Sequence, residues 1–523
     1  MGLSQTIDRT RRAAVSGERI ERSRSAVAYL PLAVISLAQA GLHLASLGQY
    51  GFFRDELYFM ACTQHLAWGY VDHPPLSVTL LKLMTDWLGD ALWAVRLIGV
   101  VAGFLSVWVA GAVAKEYGGK TWAQGIAGLA VAASPTVLVV THLYSMNGID
   151  VLLWSLGALF FAKLSKRSTP ALWMALGVVL GLGLLNKLSV LWLLAGLAVA
   201  IVATDRRKEL RTPWPWLGFV TALLIASPFV YWQIQNGFPT LEFARNANDT
   251  KLTPIAPWMF LAREAVVMNP LAVPLWTVGI VAGLREPKWR GTVLVFLTVM
   301  AVLLLNGRSR ENYLTPAYVF AIAPGAVALE AWLRKRQTLS KVYTGLYVAT
   351  MPVMAVLTLP LLPVETLAKV YALKPIQTPD TEKGGYSQIY GFADMFGWQA
   401  MAEATGEAWN RIPEVDRGRA VVIASNYGEA GAIQKYGAAE LRGRVVGRHN
   451  NYWLWGTQGW DGQAAVLVGD FSPGLLNSFS EVTLATRLDS QFAVPEEAHA
   501  PVYVVRGLKG SVEDFWAKAR VYR

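Results

Sequence analysis

Between about residue 27 and residue 362 the sequence is a succession of long apolar runs, near 27–48, 91–113, 122–142, 148–163, 171–186, 188–203, 215–233, 257–283, 291–306, 316–333 and 342–362. As a helix, roughly 20 such residues cover the hydrocarbon core of a bilayer. So many runs cannot all hide in one water-soluble core, and the pattern predicts a polytopic α-helical membrane protein with about eleven spans. Asn186-Lys187 interrupts the stretch 171–203, which as a single helix rising about 1.5 Å per residue would be near 50 Å long. Two helices with a tight turn at Asn186-Lys187 fit the bilayer better. Composition agrees: 16% of residues are charged and mean hydropathy is +0.35, where a soluble chain carries about a quarter charged. The 21 Trp and 19 Tyr suit two interfacial aromatic belts.

The net charge of +11 is distributed as a topology signal rather than as a nucleic-acid surface. Arg9, Arg11, Arg12, Arg19, Arg22 and Arg24 precede the first span. Further clusters are Lys115/Lys120, Lys163/Lys166/Arg167, Arg206/Arg207/Lys208/Arg211, Arg285/Lys288/Arg290 and Arg334/Lys335/Arg336/Lys341. With eleven spans all of them fall on one side, which makes the 1–25 segment cytoplasmic and the C-terminal part extracytoplasmic. The first 25 residues are polar and Arg-rich, and the apolar run after them is long enough to remain as an anchor, so no cleavable signal peptide is expected. The membrane part is expected over 26–363, with a first outer loop at 49–90.

From about 364 the pattern changes. Short β-rich runs at 420–424, 444–447, 464–469 and 502–505 alternate with helical patterns near 397–411 and 428–436, which reads as a small α/β domain over 364–523. A single cysteine, Cys62, excludes an intrachain disulfide framework and any multi-cysteine metal site. No Walker A loop is present, which argues against nucleotide hydrolysis.

Chemistry concentrates in the first outer loop. Gly51-Phe-Phe-Arg-Asp-Glu-Leu-Tyr58 sets Arg54, Asp55 and Glu56 among Phe52, Phe53, Leu57, Tyr58 and Phe59, where solvation of the charges is incomplete. Carboxylates in such apolar interfacial settings are functional candidates, and a carboxylate can take the proton of an attacking sugar or lipid hydroxyl. Asp72-His73-Pro74-Pro75 follows, its prolines fixing an extended turn before an amphipathic helix near 76–88. Asp72 and His73 can contact a ligand or simply shape this turn, and His73 alone makes no metal site. Arg96, near the outer end of its span, needs an anion, which a loop carboxylate or a lipid phosphate would supply.

Other outer positions carry charge. Lys187 at its turn can meet a phosphate or snorkel to the interface. The loop 236–254 holds Glu242 and Arg245, and Gly307-Arg-Ser-Arg-Glu-Asn-Tyr313 brings Arg308 and Arg310 to the side where the positive-inside rule disfavours them. Arginine matches phosphate oxygens well. A carboxylate pair and several cations beside lipid suit a reaction on a lipid phosphate. They equally suit an outward-facing transporter of lipid-linked sugars, and a non-catalytic envelope assembly subunit is a third class. In the C-terminal part, Asn426, Tyr427 and Glu429 precede a helix that they could cap, while His449 and Trp453 belong to a polar-aromatic cluster of a kind that suits sugars.

Phe53-Arg-Asp-Glu56, Asp72-His-Pro-Pro75, Gly183-Leu-Leu-Asn-Lys187, Asn236-Gly-Phe-Pro-Thr-Leu-Glu-Phe243 and Asn312-Tyr-Leu-Thr-Pro-Ala-Tyr318 together resemble glycosyltransferase family 39. That group is related to protein O-mannosyltransferases and the lipid A aminoarabinose transferase and has the GT-C membrane fold. Asp394-Met-Phe-Gly-Trp398, Asn426-Tyr-Gly-Glu-Ala-Gly431 and His449-Asn-Asn-Tyr-Trp-Leu-Trp-Gly456 resemble a common bacterial subgroup of it. The resemblance implies a multi-pass protein of the bacterial inner membrane with a periplasmic C-terminal domain. It implies inverting transfer of a sugar from a polyprenyl-phosphate donor to a hydroxyl acceptor: lipid A, polysaccharide, glycolipid or protein. Asp55 matches the family's catalytic base, with Glu56 beside it to orient base or acceptor. Lys187 matches the lysine expected near the donor phosphate, with Arg96, Arg308 and Arg310 as further phosphate ligands. Arg54, Tyr58, Asp72, His73, Glu242, Arg245 and Tyr313 are expected around the substrates. The chemistry requires no cofactor; a divalent cation, which some GT-C relatives use, is left open.

Overall fold

The structure, a computed structural model, describes residues 29–373 and 389–523; the basic segment 1–25 lies outside the described residues. Helix α1 (Tyr29–Ser46) leads to α2 (Arg54–Thr63), a short helix of the loop that follows it, and α3 (Leu76–Leu88) completes that loop. There follow α4 (Leu92–Glu116), α5 (Thr121–Ala132), α6 (Pro135–His142), α7 (Met146–Lys166), α8 (Pro170–Asn186), α9 (Val190–Val202), α10 (Pro213–Gln235), α11 (Pro239–Asn246), α12 (Pro257–Val267), α13 (Val273–Arg285), α14 (Pro287–Asn306), α15 (Val319–Leu333), α16 (Gln337–Thr358) and α17 (Val364–Ala372).

Among the described residues six helices are long and apolar enough to cross a bilayer, and the number is eight if each of two bent pairs is one span. Length and composition therefore do not confirm the exact count of eleven. Helices α8 and α9 are apolar but have 17 and 13 residues, and α16 is long enough but less apolar. Both bends have a sequence cause. The run expected at 122–142 breaks by 61° before Pro135, and that expected at 257–283 breaks by 102° before Pro270. Proline lacks an N–H and disfavours helical geometry in the residue before it, here Ser134 in extended conformation and Asn269 at φ 78°. Between α8 and α9, Lys187 is extended, which gives the tight turn expected there.

The C-terminal part contains α18 (Trp398–Asn410), α19 (Glu414–Arg417) and α20 (Tyr427–Tyr436), with strands β1 (Val421–Ala424), β2 (Val445–Gly447), β3 (Ala464–Val468), β4 (Phe479–Arg487) and β5 (Pro501–Leu508). The sheet order is β2-β1-β3-β5-β4. The first three strands are parallel, and β5 runs antiparallel to β3 and β4 antiparallel to β5. Side chains alternate across it. Val421 and Ile423 pack with Phe515 and Trp516 on one face. Val422 and Ala424 pack on the other with α18, α20 and, from the outer loop, Leu57, Tyr58 and Phe59. One core therefore joins the α/β domain to α2. Because β1 lies between β2 and β3, the chain reverses direction across the sheet at β1. The carboxyl ends at such a point form the usual crevice of an open α/β sheet, and here α2 packs against α20 beside it.

Candidate active site

Asp55, one residue inside α2, is half-buried. Its Oδ1 accepts a hydrogen bond of 2.9 Å from the Tyr427 hydroxyl at the start of α20. Tyr427 is stacked on Tyr58, with ring centroids 4.7 Å apart, and also packs against His449 at 4.9 Å. Arg54 reaches from α2 to Asp394 at 3.1 Å and to Glu497 at 3.7 Å. Helix α20 can come this close because of two glycines on one face. A Cβ on Gly428 would stand 2.5 Å from Arg54 Cγ, and one on Gly431 would stand 3.0 Å from the Leu57 carbonyl carbon.

The neighbouring carboxylate turns the other way. Glu56 is fully buried, accepting from Arg96 Nε at 2.9 Å and Nη2 at 3.0 Å, from the Tyr144 backbone N–H at 2.9 Å and from the Phe53 N–H at 2.8 Å. Arg96 also donates to the carbonyls of Leu47, Gln49 and Gly51. This corrects two expectations. Glu56 does not sit beside Asp55 as a partner in catalysis, because its oxygens are consumed in closing α2 and anchoring it to α4. Arg96, expected to need a loop carboxylate or a lipid phosphate, spends its donors on the loop carboxylate of Glu56 and on backbone carbonyls.

Asp72 accepts from the Tyr58 hydroxyl at 2.8 Å. The turn that carries it is tied to the α/β domain by Asn451, whose Oδ1 accepts from the Val71 N–H at 2.7 Å. His73 stacks on Phe59 at 4.4 Å, and its Nε2 is 4.0 Å from Asp72. Two carboxylates, Asp55 and Asp72, thus flank a stacked pair of tyrosines, each taking one phenolic hydrogen. Burial raises the Asp72 pKa, and the charge of Asp55 adds to the rise.

A second cluster lies at the α8–α9 turn. Lys187 donates to Asn147 at 2.7 Å and sits 3.7 Å from Asp150, to which Ser189 also donates at 2.8 Å. The ammonium stands 5.7 Å over the Tyr313 ring, which packs on Trp192, and the charge of Arg310 faces it. Arg308 is occupied elsewhere, donating to the Asn248 carbonyl at 2.8 Å with Asp249 at 3.6 Å. The α6–α7 turn connects the two clusters: the Tyr144 N–H holds Glu56, next to Asp55, and Asn147 holds Lys187. Three residues of chain reach at most about 11 Å, so the Asp55 helix and the Lys187 turn are braced from adjacent points.

Glu242 and Arg245 do not join either cluster. Glu242 pairs with Arg520 at 2.9 Å on the surface, and Arg245 is exposed. Asn426 caps α20 by accepting from the Gly428 and Glu429 N–H groups, while Glu429 accepts from the Asn426 N–H, so this part of the motif is a capping box. Burial, then the neighbouring Glu497, raises the Glu429 pKa to about 8. Burial raises Glu497 to about 7 against the pull of Arg54, and burial lowers His449 to about 3. Among the described residues no group of three or more His, Cys, Asp or Glu is arranged to hold a metal ion. Asn147, Asp150, Asp394 and Asn451 were not singled out for these roles from the sequence. Asn147 and Asp150 carried a legible signal, two polar residues at the start of an apolar run.

Comparison with known proteins adds independent findings. Residues 72–232 match the family model described as dolichyl-phosphate-mannose-protein mannosyltransferase. The lipid A galacturonosyltransferase RgtD of Rhizobium johnstonii is 24% identical over 302 residues, 54% of this chain; the match spans 60% of that relative's length. The crystal structure of ArnT from Cupriavidus metallidurans in the apo state superposes with a TM-score of 0.58 at 17% identity, covering 92% of this chain and 98% of ArnT. The same protein bound to undecaprenyl phosphate gives 0.57 at 15% identity, covering 90% and 97%. The chain is a membrane protein with the GT-C glycosyltransferase fold, and its residues 72–232 match the dolichyl-phosphate-mannose-protein mannosyltransferase family model.

Proposed function

We propose that this protein transfers a sugar from a polyprenyl-phosphate donor to a hydroxyl of a lipid A-type acceptor at the extracytoplasmic membrane face, inverting the anomeric carbon. The observation that carries this reading is the carboxylate of Asp55. It is half-buried and held by one phenol, with no side-chain donor on Oδ2 among the described residues. In the step, the acceptor O–H proton passes to Asp55 while its oxygen bonds to the anomeric carbon. The bond from that carbon to the phosphate oxygen breaks, and the polyprenyl phosphate leaves with the electron pair. The leaving group is already anionic, so cations aimed at it help more than an acid would. Lys187 and Arg310 fill that role in this reading, with Tyr313 forming the floor under the ammonium.

The relatives support the substrate classes. One is a lipid A galacturonosyltransferase and another has been crystallised with undecaprenyl phosphate. A galacturonosyl donor is accordingly the first to test. The experiment is native mass spectrometry of the purified full chain with its co-extracted lipids, followed by addition of synthetic undecaprenyl phosphate. Retention of a polyprenyl phosphate, or of its sugar conjugate, is the expected result. Failure to bind the synthetic lipid at any concentration below its aggregation limit would remove the donor class and move a transporter or scaffold reading ahead.

A further inference from the structure

The reaction centre is not completed by the membrane domain alone. We infer that Tyr427, contributed by the C-terminal α/β domain, is a positioning residue that fixes the Asp55 carboxylate for proton abstraction. This rests on the reading of Asp55 as the base.

Four observations converge on it. Tyr427 Oη donates to Asp55 Oδ1 at 2.9 Å, and no other side-chain hydrogen bond to Asp55 is present among the described residues. The phenol ring is stacked on Tyr58 and packs against His449, contacts that hold it in place. The helix bearing it is seated against α2 by close approach at Gly428 and Gly431, where any Cβ would collide with Arg54 or with the Leu57 backbone. The residue before Asp55 is clamped to the same domain through Asp394 and Glu497. A hydrogen bond aimed at one oxygen fixes the rotation of the carboxylate and leaves the other oxygen to receive a proton.

Burial and the charge of Asp55 hold the Tyr427 phenol well above its ordinary range, so it remains a donor throughout the working pH of the cell. Tyr427 is thereby suited to orient a base without competing for the proton. The same arrangement gives the α/β domain a role in chemistry rather than only in recognition.

The test uses the full chain in detergent or nanodiscs, with undecaprenyl-phosphate-linked sugars (a galacturonosyl unit first, then hexosyl and aminopentosyl units) and purified lipid A. Tyr427→Phe keeps the ring and its stacking and removes only the donor. A hydrogen bond to a charged group is worth enough to predict a fall in kcat of about tenfold or more. Donor KM should change less than about twofold, since a lost substrate contact, not a lost orientation, raises KM alone. On an Asp55→Asn background the same substitution should cost nothing further, because both act through one group. Deuterium uptake over residues 54–63 in Tyr427→Phe gives a readout independent of turnover and of which sugar is used, and faster exchange there is expected. Wild-type kcat and unchanged exchange in Tyr427→Phe, with Asp55→Asn inactive, would overturn the positioning role while leaving the base intact. An active Asp55→Asn would remove the base and this inference with it.

Discussion

Arg96 and Glu56 form a bidentate pair, with N···O distances of 2.9 and 3.0 Å, in a site closed to solvent where the first outer loop meets α4. Two charges buried together in this way stabilise little relative to a well-packed apolar pair, but removing one partner strands the other. Glu56→Gln, which leaves the guanidinium without a counter-charge, is expected to lower stability by about 3 kcal/mol or more, read as a drop in detergent unfolding temperature. Glu56→Gln that unfolds like wild type but has lost turnover would instead restore Glu56 to the chemistry.

The glycines of α20 make a second prediction. At Gly428 a Cβ would stand 2.5 Å from Cγ of Arg54, which Asp394 and Glu497 hold in place, and 3.1 Å from Trp398; at Gly431 it would stand 2.9 Å from Leu57 Cβ and 3.0 Å from the Leu57 carbonyl. Gly428→Ala and Gly431→Ala should therefore each cost about 1–3 kcal/mol, and should lower turnover by tilting α20 away from α2. Equal, small effects at both positions would show that the interface is not tightly packed.

The pH dependence of stability follows from Glu429 and Glu497. Their folded pKa values, about 8 and about 7, lie above the ordinary value of 4.5. For carboxyl groups raised in this direction the unfolded state loses its protons first, so their stabilisation is complete below about 4.5 and is lost as pH rises through 7 and 8. His449, lowered to about 3, acts oppositely but is neutral in both states above about 7.5. Unfolding followed between pH 7 and 8.5 should show falling stability, with a shallower slope in Glu497→Gln. A flat profile in the wild type would contradict the burial of this pair.

Lys187 is expected to bind donor phosphate, and Asp55 is not. Lys187→Ala should weaken undecaprenyl phosphate binding by about tenfold, the scale of one charge-assisted contact, while Asp55→Asn leaves it unchanged. Equal affinities for wild type and Lys187→Ala, measured by native mass spectrometry or fluorescence competition, would displace the phosphate from this turn.

Much of this architecture is legible in sequence because lipid imposes a strong pattern. The apolar runs, the Asn186-Lys187 turn and the β-rich runs at 420–424, 444–447 and 464–469 have counterparts in the structure. Strand β4 escaped notice because Phe479–Arg487 is a largely exposed edge strand with no apolar run to mark it. The breaks at Pro135 and Pro270 were hidden inside runs that remain apolar on both sides. Spacing could show that Asp55 and Glu56 sit together, but not that successive residues on α2 face opposite ways, one toward Tyr427 and one toward Arg96. Nor could it join Asp55 to Tyr427, which are 372 positions apart. Glu242 and Arg308 show the complementary lesson: a charged loop residue reads in sequence as a substrate ligand, and each is paired with a neighbouring surface group.

The central claim is that Asp55 takes the acceptor proton in a sugar transfer from polyprenyl phosphate. The most direct measurement is transfer by the purified full chain from undecaprenyl-phosphate-linked sugar to lipid A, comparing wild type with Asp55→Asn at matched folding and matched undecaprenyl phosphate affinity. Loss of turnover by about a thousandfold, roughly the contribution of a positioned general base, is the predicted result. Turnover near the wild-type rate in Asp55→Asn, with the donor still bound, would contradict the account.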